Sequence, residues 1–203
     1  MAVTMADISK LRTMTGAGMM DCKNALNDAA GDFEKAIEII RKKGQATAAK
    51  RSDREAAEGC VLAGTNGGFA AIIALKCETD FVAKNADFVA LAQTVLDAAL
   101  ANKPATVAEL TAIVIDGRTL AEIITDRSGI TGEKMEVDFY EIVEGAYAAA
   151  YIHPGNKLAT IVAFAEENVE YETARGIAMH IAAMSPVAID ESAIPQKVKD
   201  NEL

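Results

Sequence analysis

The sequence has few of the residues and motifs from which catalytic and metal sites are usually built. Its 203 residues include two histidines, three cysteines and no tryptophan. Cys22, Cys60 and Cys77 are far apart and form no Cys-x-x-Cys or Cys/His cluster, so neither a disulfide framework nor a zinc site is supported. The sequence also lacks a P-loop, a Gly-x-Ser-x-Gly elbow, a dinucleotide-binding glycine pattern and a His-Glu-x-x-His motif. These absences argue against most classes of enzyme.

Long apolar runs are also missing. No run approaches the roughly 20 residues that a membrane span requires. The first seven residues lack the charged start and apolar core of a signal peptide. We therefore expect a cytoplasmic protein that does not contact membranes.

Positive charge is scarce after the first quarter of the chain. Residues 1–57 contain ten basic and eight acidic residues, whereas residues 58–203 contain ten and 22, and the net charge is −10. An acidic body repels phosphate backbones, which argues against nucleic acid as the main ligand.

The first 44 residues predict a small module of three helices. Gly16-Ala17-Gly18 separates the first helix from the second, and Gly31 is placed to end the second. Basic residues at 41–43 suit the last turn of the third helix, which we expect to end at Gly44. So small a core is marginally stable by itself.

Residues 45–57 are small, polar and basic, and they predict a partly helical linker. From Glu58 the pattern changes to that of strands. Asn66-Gly67-Gly68 is a hairpin-turn signal, and the run from Phe69 to Leu75 is typical of a buried strand. A long helical pattern follows, with apolar residues on one side at Phe81, Phe88, Ala92, Val95 and Ala99.

The same rules predict the remaining elements. Short helices are expected at 107–113 and 119–125, with loops at Ser128-Gly129 and Thr131-Gly132. Strands are expected at 135–143, 147–152 and 158–164, followed by helices at 170–184 and from 191.

A weak internal repeat relates the two parts of the chain after the linker. Glu58-Gly59, a hairpin and a helix recur from Glu144-Gly145, with an offset of 86 residues at these glycines and 89 at the second strand. Two hairpin-plus-helix units predict an α+β core of two related subdomains. The expected domains are the module (1–44), the linker (45–57) and two core subdomains (58–132 and 133–203).

The segment from Lys76 to Lys84 lies where a predicted strand ends and a predicted helix begins. In one interpretation Thr79 or Asp80 caps the helix and Phe81 is the first residue of its buried stripe, which the spacing favours. In the other, Phe81 lies in an incompletely packed first turn and projects beside Asp80 toward a partner, as interface anchors do.

Two other features also have two interpretations. Cys77 is better explained as a small buried residue than as a nucleophile, because nothing near it in the sequence would lower its pKa. Met19 and Met20 are adjacent and cannot both face one core, so we expect one of them to be exposed, as suits an adaptable protein contact.

Three motifs are notable, and the first two are highly specific in combination. They are Thr-Gly-Ala-Gly-Met-Met-Asp-Cys-Lys at 15–23, Thr-Asp-Phe-Val-Ala at 79–83 and Ile-Ala-Met-His-Ile-Ala-Ala at 177–183. In their order and spacing they resemble the elongation factor Ts family, the guanine-nucleotide exchange factors for elongation factor Tu, and the resemblance spans essentially the whole chain. It implies an N-terminal module similar to a ubiquitin-associated (UBA) domain, followed by a core of two related α/β subdomains.

The resemblance also implies which residues contact the partner. In the family, the Thr-Asp-Phe-Val segment enters the nucleotide domain of elongation factor Tu near its magnesium ion. Thr79, Asp80, Phe81 and Val82 would do so here, with Phe81 as the wedge. The further partner contacts that the resemblance implies are Arg12, Met19, Met20, Lys23, Thr131, Gly132 and His153.

The implied function is therefore a non-enzymatic exchange factor that promotes GDP release in translation elongation, with no cofactor of its own. One alternative is a UBA-like adaptor or chaperone-type module, which would need the Met19-Met20 surface but not Phe81. Another is a hydrolase that uses Cys77. The family usually continues past the helix at 177–183 into a helical hairpin, so we expect the chain to be a fragment or a short form.

Overall fold

The computed structural model describes residues 3–202, and the side chains of residues 3–200. Residues 1, 2 and 203, which the predicted domain boundaries include, lie outside the described residues. The chain is a mixture of helices and antiparallel sheets, which confirms the predicted α+β class. Its division into domains stays a prediction.

The N-terminal part contains three helices, α1 (Met5–Thr15), α2 (Met19–Asp28) and α3 (Phe33–Ala49). The side chain of Thr4 caps α1, and Gly16 ends it in the left-handed conformation at φ 72°. The three helices enclose a small core of buried side chains: Ile8, Leu11, Cys22, Ala25, Leu26 and Ala36.

A hairpin follows, made of β1 (Glu58–Asn66) and β2 (Phe69–Cys77), in which Asn66 pairs with Phe69 across the predicted turn. The helical pattern after it is divided between a single turn, α4 (Asp80–Ala83), and a long helix, α5 (Ala86–Asn102). The division occurs at Asn85, whose side chain accepts a hydrogen bond from the Asp87 N–H and so begins a new helix.

The next elements are α6 (Val107–Ala112), β3 (Val114–Ile115), β4 (Arg118–Thr119) and α7 (Leu120–Thr131). The predicted loop at Ser128-Gly129 is wrong, because α7 continues through it to Gly132, which ends the helix at φ 73°. The small β3–β4 hairpin was not predicted. Its turn is Asp116-Gly117, with both residues at positive φ, and Asp-Gly is a hairpin signal.

The last elements are β5 (Glu136–Glu144), β6 (Tyr147–Ile152), β7 (Ala159–Phe164), α8 (Tyr171–Met184), a 3₁₀ turn at Glu191–Ala193, and α9 (Gln196–Glu202). β5 pairs with β2 to give a three-stranded sheet of order β1-β2-β5, and β6 and β7 form a separate hairpin. That hairpin packs on the sheet through a cluster that includes Ala63, Ile72 and Ala159. None of the helices in residues 3–202 combines the length and apolar character that a membrane span requires.

The two hairpins share a detail that follows the sequence repeat. A Cβ on Gly59 would lie 2.4 Å from the Leu75 carbonyl oxygen, and a Cβ on Gly145 would lie 2.6 Å from that of Phe164. A side chain at either position would clash with the opposite strand of its hairpin, so both positions require glycine. The two glycines are 86 residues apart and the two residues that they face, Leu75 and Phe164, are 89 apart, which are the offsets of the sequence repeat.

The main core lies between the three-stranded sheet and α5. Its largest fully buried side chains include Phe69, Ile73, Leu75, Phe88 and Val95. Apolar residues of β2 alternate less strictly than in a one-sided strand, because both faces of β2 are covered.

The prediction that α3 ends at Gly44 is wrong. The helix continues to Ala49, and Gly44 lies where α3 crosses α7. A Cβ on the facing residue, Gly129, would lie 2.1 Å from the Gly44 Cα. Both glycines therefore permit a close helix–helix contact rather than breaking their helices, and this contact joins the N-terminal helices to the core.

Candidate functional site

Phe81 lies on the single-turn helix α4, directly after β2. Its side chain is 84% exposed, whereas that of Phe88 is 1% exposed. The interpretation that Phe81 begins the buried stripe is therefore wrong: the helix is interrupted at Asn85, and the stripe begins at Phe88. Exposure is what the alternative requires, in which Phe81 projects outward beside Asp80.

The helical turn that contains Phe81 has an N-cap, Thr79, and an acidic first residue, Asp80. Thr79 is the N-cap, and its Oγ1 accepts a hydrogen bond from the Val82 N–H at 3.4 Å. Asp80 is paired with Lys84 at 2.7 Å, one helical turn later. The hydrogen bond from Lys84 holds the pKa of the Asp80 carboxyl below its ordinary value, so a negative charge stands next to the exposed ring.

Two carboxylates fasten this turn to the segment that follows α7. Glu133 accepts hydrogen bonds from the backbone N–H groups of Glu78 and Thr79, at 3.1 and 3.0 Å, and from the Thr79 hydroxyl at 2.6 Å. In return, the Glu78 carboxylate accepts a hydrogen bond from the Lys134 N–H at 2.7 Å. We call this reciprocal arrangement of residues 78–79 with 133–134 the carboxylate clamp.

An arginine from the N-terminal part joins the carboxylate clamp. The Arg51 guanidinium, just beyond α3, contacts both carboxylate oxygens of Glu78 at 3.0 and 3.1 Å. The Lys134 N–H, followed by Arg51, holds the pKa of the Glu78 carboxyl below its ordinary value against the opposing effect of burial. Glu78 is therefore ionised at neutral pH and connects the N-terminal helices to the Phe81 turn.

The structure places the other predicted contact residues on three exposed surfaces. Arg12, Met19, Met20 and Lys23 are all exposed on α1 and α2. At least one methionine was expected to be exposed, and both are: Met19 is 40% and Met20 63% exposed, because Cys22, Ala25 and Leu26 fill the core from α2.

Thr131 and Gly132 lie next to the carboxylate clamp. Thr131 is exposed at the end of α7, and the positive φ of Gly132 turns the chain so that Glu133 faces Thr79. These two predicted residues are thus brought close to the Phe81 turn by the residue that follows them.

His153 lies exposed in the β6–β7 turn, with its Nδ1 3.0 Å from the Tyr151 hydroxyl. The same turn contains Lys157, which pairs with Glu58 and donates to the Gly59 carbonyl at 3.1 Å. Because Glu58 pairs with Cys77 across the β1–β2 hairpin, the turn lies at the end of the hairpin from which the Phe81 turn emerges.

Cys77 has no nucleophilic character in this environment. Its side chain is fully buried, and burial, followed by the charge of Glu133, raises its pKa to about 11. The thiol is therefore protonated at neutral pH, which removes the support for the hydrolase alternative. Within the described residues, no group of three or more His, Cys, Asp or Glu side chains could hold a metal ion.

Sequence reasoning missed Glu133 and Arg51. The only signal near Glu133 was Gly132, which indicates the end of a helix but not what the next side chain contacts. Glu133 is 54 residues from Thr79, and Arg51 is 27 from Glu78. Such pairings depend on the tertiary fold.

Comparisons of the sequence with known proteins identify its family. The family model described as elongation factor TS matches residues 78–203. Proteins named elongation factor Ts from Parabacteroides distasonis and Phocaeicola vulgatus are 66% and 65% identical over 100% of the chain, which covers 61% of each. The one from Porphyromonas gingivalis is 63% identical, and the chain covers 74% of it. The chain thus spans about three-fifths of the length of the first two curated relatives, and it belongs to the elongation factor Ts family.

Proposed function

We propose that the chain is a guanine-nucleotide exchange factor that binds elongation factor Tu in its GDP-bound and nucleotide-free forms and promotes GDP release in the cytoplasm. The observation that carries this proposal is Phe81, an aromatic side chain 84% exposed on a capped and fastened turn. Exposing a large apolar ring costs free energy in water, and an isolated one held rigidly is typical of an interface anchor.

The proposed mechanism involves no bond chemistry. Phe81, with Thr79 and Val82 around it, enters the partner's nucleotide domain and displaces the side chains that surround the magnesium ion. Without that cation the phosphates of GDP are poorly neutralised. Asp80 adds a negative charge beside the same site, which further disfavours an anionic ligand.

Nucleotide exchange follows from differential binding. The factor binds the nucleotide-free partner more tightly than the GDP-bound partner. By linkage, the factor weakens GDP binding by the same ratio as GDP weakens binding of the factor. The UBA-like module, through Arg12, Met19, Met20 and Lys23, supplies most of the affinity, while Thr131, Gly132 and His153 add contacts from the core.

Release of fluorescent GDP from elongation factor Tu tests the proposal. The chain should accelerate release, and Phe81→Ala should reduce the acceleration by about 30-fold, as expected for loss of about 2 kcal/mol at an aromatic hot spot. Phe139→Ala is the matched control, because Phe139 is 45% exposed on β5, where it pairs with Ala74 of β2 and is not part of the Phe81 turn. No acceleration by the unchanged chain, or equal acceleration by Phe81→Ala, would show that the mechanism is wrong.

An adaptor function is the second candidate, because both Met19 and Met20 are exposed. A pull-down of elongation factor Tu with and without GDP separates the two. Binding that GDP weakens supports exchange. Binding that is indifferent to GDP and survives Phe81→Ala supports an adaptor.

A further inference from the structure

The direction of the Phe81 side chain is set by the backbone of its turn rather than by packing. The ring is 84% exposed, so few of its atoms touch the rest of the chain. The turn itself, α4, contains four residues and one helical turn, which is too short to be stable alone. Whatever holds this backbone therefore decides where Phe81 points.

The side chain of Glu133 holds the backbone of this turn in place. One carboxylate accepts three hydrogen bonds from the two residues that precede the turn: two from the N–H groups of Glu78 and Thr79, and one from the Thr79 hydroxyl. Since the hydroxyl has a single hydrogen, donating it to Glu133 leaves the oxygen lone pairs to accept from the Val82 N–H. Glu133 thus orients the N-cap of α4.

Glu133 is in turn held by its own surroundings. Gly132 turns the chain at the end of α7, and the Ser128 hydroxyl, which is buried, donates to the Glu133 carbonyl at 2.5 Å. The next residue, Lys134, donates its N–H to Glu78, which closes the carboxylate clamp. The side chain therefore reaches Thr79 from a backbone that is constrained on both sides.

We propose that Glu133 is a positioning residue for nucleotide exchange: by fixing Thr79, it presents Phe81 in its binding conformation before the partner arrives. A preorganised anchor loses less conformational freedom on binding than a mobile one. This inference rests on the proposed exchange function. It requires that loss of the carboxylate reduce the acceleration of GDP release more than it reduces binding through the N-terminal helices.

The test compares the affinity for elongation factor Tu with the rate of GDP release at saturating factor. Glu133→Ala should lower the saturating rate by about tenfold or more, as misplacement of a positioned group does. Its affinity should change by less than that factor. Glu136→Ala is the matched control, because Glu136 pairs with Lys134 at 2.9 Å and not with Thr79.

Variants of Thr79 test the same hydrogen bond from its other end, and they can be used if Glu133→Ala folds poorly. Thr79→Val has the same shape but lacks the hydroxyl that joins Glu133 to Val82, so it should also lower the saturating rate. Thr79→Ser keeps the hydroxyl and should restore most of it. The double variant with Glu133→Ala should be little slower than the slower single variant, because both changes break the same connection.

The outcomes separate the two proposals. If Glu133→Ala and Thr79→Val release GDP as fast as the unchanged chain while Phe81→Ala does not, the positioning role is wrong and the exchange function stands. If the unchanged chain does not accelerate release, both fail. Faster amide hydrogen exchange at Ala83, whose N–H donates to the Thr79 carbonyl, in Thr79→Val and Glu133→Ala but not in Thr79→Ser would be the direct sign that the turn has loosened.

Discussion

At the scale of single residues, Phe81 and Phe88 show how a break in a helix decides whether a side chain is buried or exposed. In a continuous helix, side chains seven residues apart lie on nearly the same face. The Asn85 cap begins a new helix between them, so Phe88 is 1% exposed and Phe81 84%. The same residue type is therefore a buried core side chain at one position and an exposed side chain at the other.

The ionised Glu78 carboxylate should make the free energy of unfolding depend on pH. Its folded pKa is lowered from the ordinary 4.5, so the ionised form stabilises the fold. That contribution is fully present above the ordinary pKa and is lost as pH falls through the lowered value. Glu78→Gln should therefore be less stable than the unchanged chain at pH 7, and the difference should shrink in strongly acidic solution.

Thermal unfolding measured from pH 7 to pH 3 checks this. Glu166→Gln is the control, because Glu166 is exposed and its substitution removes one carboxylate in the same way. Parallel curves for Glu78→Gln and the unchanged chain would contradict the role of the Lys134 N–H and Arg51 in stabilising the charged form.

At the scale of elements, the crossing of α3 and α7 depends on two glycines in different ways. A Cβ on Gly129 would lie 2.1 Å from the Gly44 Cα and 2.8 Å from the Gly44 carbonyl oxygen. A Cβ on Gly44 would lie 3.5 Å from the Gly129 Cα, an ordinary van der Waals contact. A side chain at Gly129 would thus point into the facing backbone, whereas one at Gly44 would not.

Alanine substitutions should show this asymmetry. Gly129→Ala should lower the free energy of unfolding by about 3 kcal/mol or more, because the helices must separate. Gly44→Ala should change it by less than about 1 kcal/mol, since the contact is tolerable and alanine favours helix. Urea denaturation measures both, with Gly176→Ala on the exposed face of α8 as the control for helix propensity. Equal losses at the two crossing glycines would contradict the geometry.

At the scale of the whole molecule, the N-terminal helices are joined to the core by more than the chain between them. Besides the glycine crossing, Asp126 of α7 contacts Arg41 of α3 at 3.6 Å and Arg118 at 2.5 Å. Arg51 contacts Glu78 beside the Phe81 turn. The surface with Met19 and Met20 and the turn with Phe81 are therefore held in one arrangement, as the proposed contact of both with one partner requires.

This coupling predicts a single cooperative unfolding transition. The calorimetric and van't Hoff enthalpies should agree for the unchanged chain. Asp126→Ala, which removes the partner of both Arg41 and Arg118, should broaden or divide the transition. Asp21→Asn is the control, because its ion pair with Lys43 lies within the N-terminal helices. Two transitions in the unchanged chain would show that the helices and the core unfold independently.

The sequence by itself determined the family, the α+β class, the three N-terminal helices and the two hairpins. These depend on local periodicity, caps and turn residues, and on motifs such as that at 79–83, all of which act over a few neighbouring residues. The hairpin repeat was also readable, because Gly59 and Gly145 are required at equivalent places.

Only the tertiary structure decided the remaining points. Gly44 and Gly129 are interpreted locally as helix breakers, but both lie inside helices, and Gly129 is required because the backbone at Gly44 passes close to it. Phe81 fits a buried stripe by spacing, and only the interruption at Asn85 exposes it. Glu133 has no local signal at all, because its partner Thr79 lies 54 residues earlier in the chain. Local patterns specify what a segment prefers, whereas contacts between distant segments decide what each side chain does.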